Sequence, residues 1–217
     1  MPTGDRCEAS NACGVGRLAG PRAESAAHRD RAVFFDWGDT VMANLPQYSG
    51  PMVTWPEVEV VPGVREALSQ LRVQYQIVLV TNAGASNAEL VRQALARVEL
   101  AQYFDLIVTS RDLGVEKPDP EFFSRALAMA GRQACDSTIV GDSYENDIRG
   151  GKAAGMATVW YNPRALTCPD VVRGLPPLYD AVLQDMIDLP RVLSEKDRRR
   201  PIPAPTITGP VVSRHGA

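Results

Sequence analysis

Short apolar runs alternate with amphipathic segments along the middle of the chain. The apolar runs are nearly continuous and not interrupted by alternating polar residues, which is typical of parallel strands covered on both faces. They are AVFFD (32–36), QIVLVTN (76–82), YFDLIVTS (103–110), STIVGDS (137–143) and ATVWYN (157–162). The pattern therefore predicts five buried strands.

Three amphipathic segments between these runs are predicted helices. They are VREALSQL (64–71), SNAELVRQALARVEL (86–100) and DPEFFSRALAMAG (119–131). Ser86 and Glu89 have the spacing of a capping box. Asp119 is a predicted N-cap, followed by Pro120 at the first helical position, and Gly131 follows the last turn. Strands interleaved with helices predict a doubly wound α/β fold, with a five-stranded parallel sheet and helices on both faces.

The two ends of the sequence lack this periodicity. Residues 1–30 are rich in Gly, Ala, Ser and Arg, and residues 191–217 are basic and rich in proline. Both compositions predict flexible segments that do not join a packed core. Residues 31–190 are predicted to form a single domain, and a chain of 217 residues with 45% hydrophobic content can bury a core of that size.

Charge and hydropathy narrow the classes of partner. The formal net charge is −3, and because the C-terminal segment is basic and residues 1–30 are balanced, the predicted domain is acidic. An acidic domain argues against nucleic acid as the main partner. The run KDRRR (196–200) is read as a solvated basic segment. No stretch approaches the roughly 18 apolar residues of a membrane span, and the N-terminus lacks a signal-peptide pattern, so a cytoplasmic location is expected.

Histidine and cysteine restrict the chemistry. The two histidines, His28 and His215, lie in the terminal segments, so a Ser–His or Cys–His nucleophile is not expected in the domain. Four cysteines without CxxC spacing indicate neither a zinc site nor a disulfide framework. Catalysis in the domain would therefore depend on carboxylates, lysine, hydroxyl groups and a hard metal ion.

Polar residues follow four of the five predicted strands. They are Asp36 after the first strand, Thr81 and Asn82 at the end of the second, Lys117 after the third, and Asp142 and Asp147 after the fourth. Each alone has an ordinary explanation as a helix cap, a surface residue or a turn. Together they lie at the edge of the sheet where doubly wound folds bind ligands, which favours a functional site.

This order of residues resembles the haloacid dehalogenase-like (HAD) hydrolase superfamily. The resemblance spans about residues 31–190 and is carried by VVPGVREAL, SRDLGVEKPDPEFF and VGDSYENDIRGGKAAGM. Receiver domains use similar residue types, but they pair two acids at the first strand and have none at the end of the fourth. The resemblance implies that Asp36 is a nucleophile that forms an aspartyl-phosphate, which water then hydrolyses.

The resemblance also implies roles for the other residues. Asp36, Asp142 and the backbone carbonyl of Gly38 would hold Mg²⁺, a hard cation that takes oxygen ligands. Asp147 would complete the acidic shell or orient Lys117. Thr81 and the backbone around Asn82 would bind the phosphoryl oxygens, and Lys117 would neutralise charge in the transition state.

One stretch departs from the family pattern. The usual first motif of these phosphatases is Asp-x-Asp-Gly-Thr, and its second Asp is the general acid/base. Here the span reads DWGDT (36–40), with Gly38 at that position and Asp39 one residue later. Three interpretations stay open. Asp39 reaches the site through an altered turn; the substrate has a leaving group that needs little protonation or itself supplies the missing group; or catalysis is weak or lost and the protein binds phosphate or metal.

The length of the loop after the first motif predicts how a substrate reaches the site. The short span 41–60 predicts little or no cap domain, and hence an open site for a phosphorylated small molecule or a protein-borne phosphate, or one closed by the second subunit of a homodimer. Tyr48 and Trp55 are candidates for the entrance, and packing of a surface loop is the alternative for each. A 2-haloacid dehalogenase also lacks the second Asp, but the paired acids Asp142 and Asp147 favour phosphoryl transfer.

Overall fold

Six parallel strands form one sheet in the computed structural model, which describes residues 29–199. The strands are β1 (Arg31–Phe35), β2 (Tyr75–Thr81), β3 (Leu106–Thr109), β4 (Ser137–Gly141), β5 (Ala157–Tyr161) and β6 (Ala181–Leu183). Their order is β3-β2-β1-β4-β5-β6, and every neighbouring pair is parallel. The α/β fold with a parallel sheet is confirmed. The expected number of five strands is wrong, because β6 is a three-residue edge strand too short to give a pattern.

Helices connect the strands. They are α1 (Val64–Leu71), α2 (Ala88–Arg97), α3 (Ser110–Leu113), α4 (Pro120–Ala130), α5 (Gly150–Ala153), α6 (Pro169–Val172) and α7 (Leu189–Arg199), with a π-helical turn at Tyr144–Arg149. The predicted caps of α4 are confirmed, since the Asp119 side chain accepts a hydrogen bond from Glu121 N and Gly131 has a left-handed φ of 64°. The capping box at Ser86 is wrong. Asn87 caps α2 instead, through the backbone N–H of Leu90.

Alternate residues of the central strands enter two separate apolar layers. Val33 and Phe35 of β1 join the layer that also contains apolar side chains of α1, α2 and α7. Ala32 and Phe34 join the opposite layer, which contains those of α4. Both faces of the sheet are therefore covered, which explains why its strands read as continuous apolar runs.

The C-terminal boundary differs from the prediction. Helix α7 crosses residue 190, where the domain was expected to end; Leu189 and Leu193 are buried in the core, and Asp197 forms an ion pair with Arg31 at 2.5 Å. Val192, Leu193 and Asp197 thus contact the domain, although the predicted boundary placed them in the flexible segment. The remaining parts of the predicted flexible segments, 1–28 and 200–217, with both histidines and the end of the basic run, lie outside the described residues.

The connection from β1 to α1 passes over the carboxyl edge of the sheet. Residues 36–63 form a loop whose one regular element is the 3-10 turn Met52–Thr54. β1 lies between β2 and β4, so the chain reverses its direction of winding at β1. The crevice between the ends of β1 and β4 is the position at which doubly wound sheets bind ligands. No helix within residues 29–199 is long and apolar enough to cross a membrane.

Candidate active site

Three carboxylates meet at the crevice between β1 and β4. Asp36 directly follows β1, Asp142 directly follows β4, and Asp147 lies on the π-helical turn after β4. One oxygen of each lies within 4.8 Å of the others. Pairing of β4 with β1 fixes this approach, since the backbone N–H of Asp36 donates to the carbonyl of Val140 at 2.9 Å.

Lys117 supplies the positive charge at this cluster. Its Nζ lies 2.5 Å from Asp36 Oδ1 and 2.6 Å from Asp147 Oδ1, and the side chain is almost fully buried. A third contact, to the carbonyl of Val80, is 3.3 Å long. The ammonium group therefore bridges two carboxylates from different strand ends and holds them at a fixed separation.

The side chain of Asn82 positions Lys117. Its Nδ2 donates to the backbone carbonyl of Lys117 and its Oδ1 accepts from the backbone N–H of the same residue, each at 2.8 Å. Both polar atoms of this carboxamide are therefore used in hydrogen bonds to the backbone of Lys117. The part of Asn82 left to bind a phosphoryl group is its backbone, directly after Thr81 at the end of β2.

The position of Asp147 depends on the residues before it. Its Oδ2 accepts a hydrogen bond from the backbone N–H of Ser143 at 3.1 Å. A methyl group built on Gly141 would lie 2.2 Å from the same Oδ2, so Asp147 reaches the cluster only because residue 141 has no side chain. The glycine before Asp142 is therefore part of the site.

Burial and like charge set the electrostatics of the cluster. Burial raises the pKa of the Asp142 carboxyl to about 6, and the neighbouring carboxylates of Asp36 and Asp39 add to the effect. Burial also raises the pKa of Asp147, although the Lys117 ammonium opposes this shift. For Lys117 burial alone would lower the pKa, but the carboxylates of Asp147 and Asp36 outweigh it and raise the pKa.

The residues fit a divalent, oxygen-seeking cation. Three converging carboxylates face one buried ammonium group, so the cluster carries an excess of negative charge in a partly desolvated pocket. Carboxylate oxygens are the ligands preferred by Mg²⁺. The acidic cluster Asp36, Asp142 and Asp147 is therefore a candidate metal site.

A cavity of about 410 Å³ opens above the cluster. The three carboxylates, Lys117 and Thr81 line it together with residues of three loop segments. These residues are Trp37, Gly38, Asn44, Gly50, Met52 and Trp55 of the loop after β1, residues 82–86 after β2, and Ser143 and Asn146 after β4. Trp55 thus lines the cavity as anticipated. Tyr48 does not line it and packs its ring on Trp55, with 5.8 Å between the ring centroids.

Asp39 lies beside this cavity and not in it. It lines a neighbouring cavity together with Asp142, Tyr161 and Arg164. Its two carboxylate oxygens accept hydrogen bonds from Asn44, one from the backbone N–H at 2.9 Å and one from Nδ2 at 3.0 Å. Of the side chains anticipated at the site, those of Asp36, Thr81, Lys117, Asp142 and Asp147 converge on one cavity, and that of Asp39 is turned to Asn44.

Thr40, Gly141 and Asn44 also shape the site, although the sequence analysis gave them no role in it. Thr40 Oγ1 accepts from the backbone N–H of Asp142 at 3.1 Å and lies 3.3 Å from its Oδ1, which ties the loop after β1 to the end of β4. Gly141 admits Asp147, and Asn44 lies against Gly38. Thr40 was visible as part of the DWGDT stretch. Nothing in the sequence distinguishes Asn44.

Comparison with protein families gives one match over most of the described region. Residues 30–161 match the family described as haloacid dehalogenase-like hydrolase. This range includes β1 to β5 and all of the residues that converge on the cavity.

Similar curated proteins include several phosphatases. The chain is 42% identical over 102 residues to pyrimidine 5'-nucleotidase YjjG of Escherichia coli K12, covering 46% of this chain and 44% of that protein. It is 31% identical over 139 residues to N-acylneuraminate-9-phosphatase of Rattus norvegicus, covering 62% and 52%. The chain thus spans about half the length of the curated relatives it matches.

Solved structures share the fold. An uncharacterized protein from Listeria monocytogenes serotype 4b superposes with a TM-score of 0.68 at 26% identity, covering 77% of this chain and 99% of that one. The putative HAD-hydrolase YfnB from Bacillus subtilis bound to magnesium gives a TM-score of 0.60 at 18% identity, covering 76% and 99%. The second likeness concerns the fold alone.

Proposed function

The chain belongs to the haloacid dehalogenase-like hydrolase family, and from this we propose that it is a Mg²⁺-dependent phosphohydrolase acting through an aspartyl-phosphate on Asp36. The observation that carries the proposal is the bridge from Lys117 Nζ to Asp36 and Asp147 beside Asp142. This arrangement combines a nucleophile, a fixed cation and a hard-metal site at the bottom of one cavity. The phosphatases among the similar proteins support the same reaction class.

Asp36 is the proposed nucleophile. Its Oδ1 is held by Lys117, which leaves Oδ2 to attack the phosphorus atom of a bound phosphomonoester. The phosphoryl oxygens would accept hydrogen bonds from the Thr81 hydroxyl and from backbone N–H groups at residues 82–83. Lys117 would stabilise the negative charge that develops on these oxygens, and such fixed, desolvated charges are effective in transition states.

Asp36, Asp142, Asp147 and the Gly38 carbonyl are the groups we assign to Mg²⁺. When bound, the ion supplies Lewis-acid stabilisation of the phosphoryl charge. The protein's own contribution is to hold the carboxylates close together against their mutual repulsion. Lys117, Ser143 N–H and Thr40 provide the hydrogen bonds that do so.

The substrate class we propose is a phosphorylated small molecule or a protein-borne phosphate. The cavity of about 410 Å³ is suited to a small ligand. Its outer wall is the short loop between β1 and α1, which we regard as a minimal cap. The 5'-nucleotidase and the sugar-acid phosphatase named above differ in substrate, and the chain covers only about half of each, so the family does not select one compound.

Hydrolysis of p-nitrophenyl phosphate tests the proposed function. We expect turnover with Mg²⁺, its loss on addition of EDTA, and its loss in Asp36→Asn, which keeps the size of the side chain and removes the nucleophile. The leaving group of this substrate departs with little help from an acid, so the altered first motif does not mask the activity.

A non-catalytic phosphate- or metal-binding protein is the competing function. It predicts that Mg²⁺ raises the melting temperature of the protein while no Mg²⁺-dependent turnover is detected. Turnover that survives Asp36→Asn unchanged would contradict the proposed mechanism. Release of halide from 2-chloropropionate without added metal would instead indicate a dehalogenase.

A further inference from the structure

The carboxamide of Asn44 fills the space beside Gly38 at the mouth of the cavity. A methyl group built on Gly38 would lie 2.6 Å from Asn44 Nδ2, 3.0 Å from its Oδ1 and 3.1 Å from its Cγ. The terminal atoms of Asn44 thus occupy the volume that any side chain at residue 38 would enter. Asn44 also lines the cavity above Asp36.

Asp39 fixes the orientation of this carboxamide. Oδ1 of Asp39 accepts from the backbone N–H of Asn44 and Oδ2 accepts from Nδ2, so backbone and side chain of one residue are held by one carboxylate. One of the two Nδ2 hydrogens is used in this contact. The second hydrogen of Nδ2 has no acceptor among residues 29–199 and remains as a donor, polarised by the adjacent carboxylate.

Backbone hydrogen bonds hold the loop that carries Asp39 and Asn44. The carbonyl of Trp37 accepts from the backbone N–H groups of Val41 and Met42 at 2.8 and 2.9 Å, and Asp39 N–H donates to Met42 O at 2.7 Å. Asp39 is also held in the left-handed region at φ 55°, which few non-glycine residues adopt. A short antiparallel bridge between Met42 and Val60 supports the stem before Asn44.

We propose that Asn44 is a catalytic residue that donates a hydrogen bond from Nδ2 to the leaving-group oxygen of the substrate, and that Asp39 is a positioning residue acting through Asn44. This inference rests on the proposed function. It follows from three observations: the carboxamide lies in the cavity, it fills the side-chain space of the residue two positions after the nucleophile, and both Asp39 oxygens are engaged in holding it.

Transfer of the phosphoryl group to Asp36 needs no general acid from the protein. An oxygen of Asp36 forms a bond to phosphorus, the bond from phosphorus to the ester oxygen breaks, and the electron pair stays on the ester oxygen. Asn44 stabilises that oxygen by a hydrogen bond and keeps its proton, so the departing alkoxide or phenoxide takes its proton from solvent water. Water then attacks the aspartyl-phosphate, which releases inorganic phosphate and restores the Asp36 carboxylate.

A neutral donor restricts the substrate class. An amide cannot transfer a proton, and it lowers the charge on the leaving oxygen less than an acid does. The site should therefore favour phosphate compounds whose leaving groups are stable as anions, such as aryl phosphates, acyl phosphates and phosphoanhydrides, over simple alkyl phosphates.

A leaving-group series tests the role of Asn44. The probes are p-nitrophenyl, phenyl and benzyl phosphate, whose alcohols become progressively less acidic. In Asn44→Ala we expect kcat/KM to fall by about 3-fold for the first and about 10–100-fold for the last, because a hydrogen bond to a charged oxygen matters more as that oxygen carries more charge. Gln47→Ala, an exposed residue of the same loop, is the matched control and should leave all three rates unchanged.

Two further variants separate Asn44 from its neighbours. Gly38→Ala should displace the carboxamide and give the same dependence on leaving group, and the double variant Gly38→Ala/Asn44→Ala should be no worse than either single one. Asp39→Asn should lower the rates without changing the shape of the pH–rate profile, since Asp39 transfers no proton.

Opposite results overturn the assignment. Asn44 is excluded as the donor if Asn44→Ala lowers kcat/KM equally for all three substrates, or does not lower it at all. The proposed function is unaffected by that result as long as Asp36→Asn abolishes turnover. Loss of the alkaline limb of the pH–rate profile in Asp39→Asn, with benzyl phosphate affected most, identifies Asp39 itself as the acid.

Discussion

Lys117 shows how single residues hold the site together. A buried ammonium group is costly to desolvate, and the cost is recovered only when close counter-charges are present. Here Asp36 and Asp147 lie 2.5 and 2.6 Å from its Nζ, and both backbone polar groups of the lysine are bonded to Asn82. The same contacts that compensate the buried charge also fix the direction of the Asp36 carboxylate.

Gly141 is the residue whose substitution should most directly separate the acids of the site. A methyl group at this position would lie 2.2 Å from Asp147 Oδ2, and the Asp147 side chain is fully buried. We expect Gly141→Ala to push Asp147 from Lys117 and to lower kcat by about 100-fold or more, as loss of a preorganised charge does. The free energy of unfolding should fall by about 1–3 kcal/mol, in the range for overpacking.

Gly84→Ala is the control for this variant. Residue 84 also lines the cavity, but a methyl group built there meets no atom within 4 Å. Steady-state kinetics with p-nitrophenyl phosphate and urea unfolding of both variants give the comparison. If Gly141→Ala keeps wild-type kcat, Asp147 is not needed in its observed position.

For single residues, the sequence predicted that the acids converge, but it did not predict the residues around them, such as Asn44. Asp36 and Asp142 follow continuous apolar runs, so their arrival at one edge of a parallel sheet is a consequence of topology. Asn44 follows no such rule. Its contact with Gly38 depends on the path of the loop between these two residues, in which Asp39 has a left-handed conformation, and no periodic pattern encodes that path.

The loop between β1 and α1 is the element that sets the shape of the cavity. Met52 and Trp55 form its outer wall, and both lie on a segment held from outside by Arg97 of α2. The Arg97 guanidinium donates to the carbonyls of Met52, Val53, Trp55 and Pro56, at 3.4, 3.1, 2.6 and 3.0 Å. One helix thus fixes the wall through four backbone groups.

Arg97→Ala should loosen this wall. We expect KM for p-nitrophenyl phosphate to rise about 3–10-fold while kcat changes less than about 2-fold, because each lost hydrogen bond weakens the loop modestly and the acids below it are untouched. Arg65→Ala is the matched control, since Arg65 donates to the carbonyls of Val98 and Glu99 away from the cavity. Equal changes in KM for the two variants would exclude a specific role for the hydrogen bonds from Arg97 to the cavity wall.

Elements were predictable where they are long and fully covered. α1 spans the predicted residues, β4 and β5 lie within the predicted runs, and β2 begins one residue before its predicted run. β6 was missed because three residues at a sheet edge, of which only Leu183 is buried, give no pattern. α7 was missed because only a narrow stripe, including Leu189 and Leu193, is apolar in a segment dominated by charge, and its burial is decided by tertiary packing.

For the whole molecule, α7 completes one apolar layer and joins the two ends of the described chain. Leu189 and Leu193 pack in the layer formed by α1, α2 and alternate residues of β1 and β2. Further along the helix, Asp197 pairs with Arg31 at the start of β1 and accepts a hydrogen bond from the Tyr75 hydroxyl at the start of β2. Stability therefore depends on residues beyond the family match, which ends at residue 161.

Leu193→Ala tests this dependence. Removing a fully buried leucine side chain leaves a cavity, and we expect the free energy of unfolding to fall by about 2–4 kcal/mol while KM stays unchanged. Leu175→Ala, at a leucine with 54% of its surface exposed, should cost less than about 0.5 kcal/mol. Urea denaturation measures both, and equal midpoints for the two variants would show that α7 is not part of the cooperative unit.

The contact of α7 with the start of β1 also decides how the protein can be handled. Arg31 and Asp197 lie at the amino end of the sheet, and the cavity lies at the carboxyl end. The described chain thus begins and ends on the side away from the cavity. An affinity handle or a surface tether joined directly to residue 29 or residue 199 should therefore leave the cavity facing solvent in the immobilised protein.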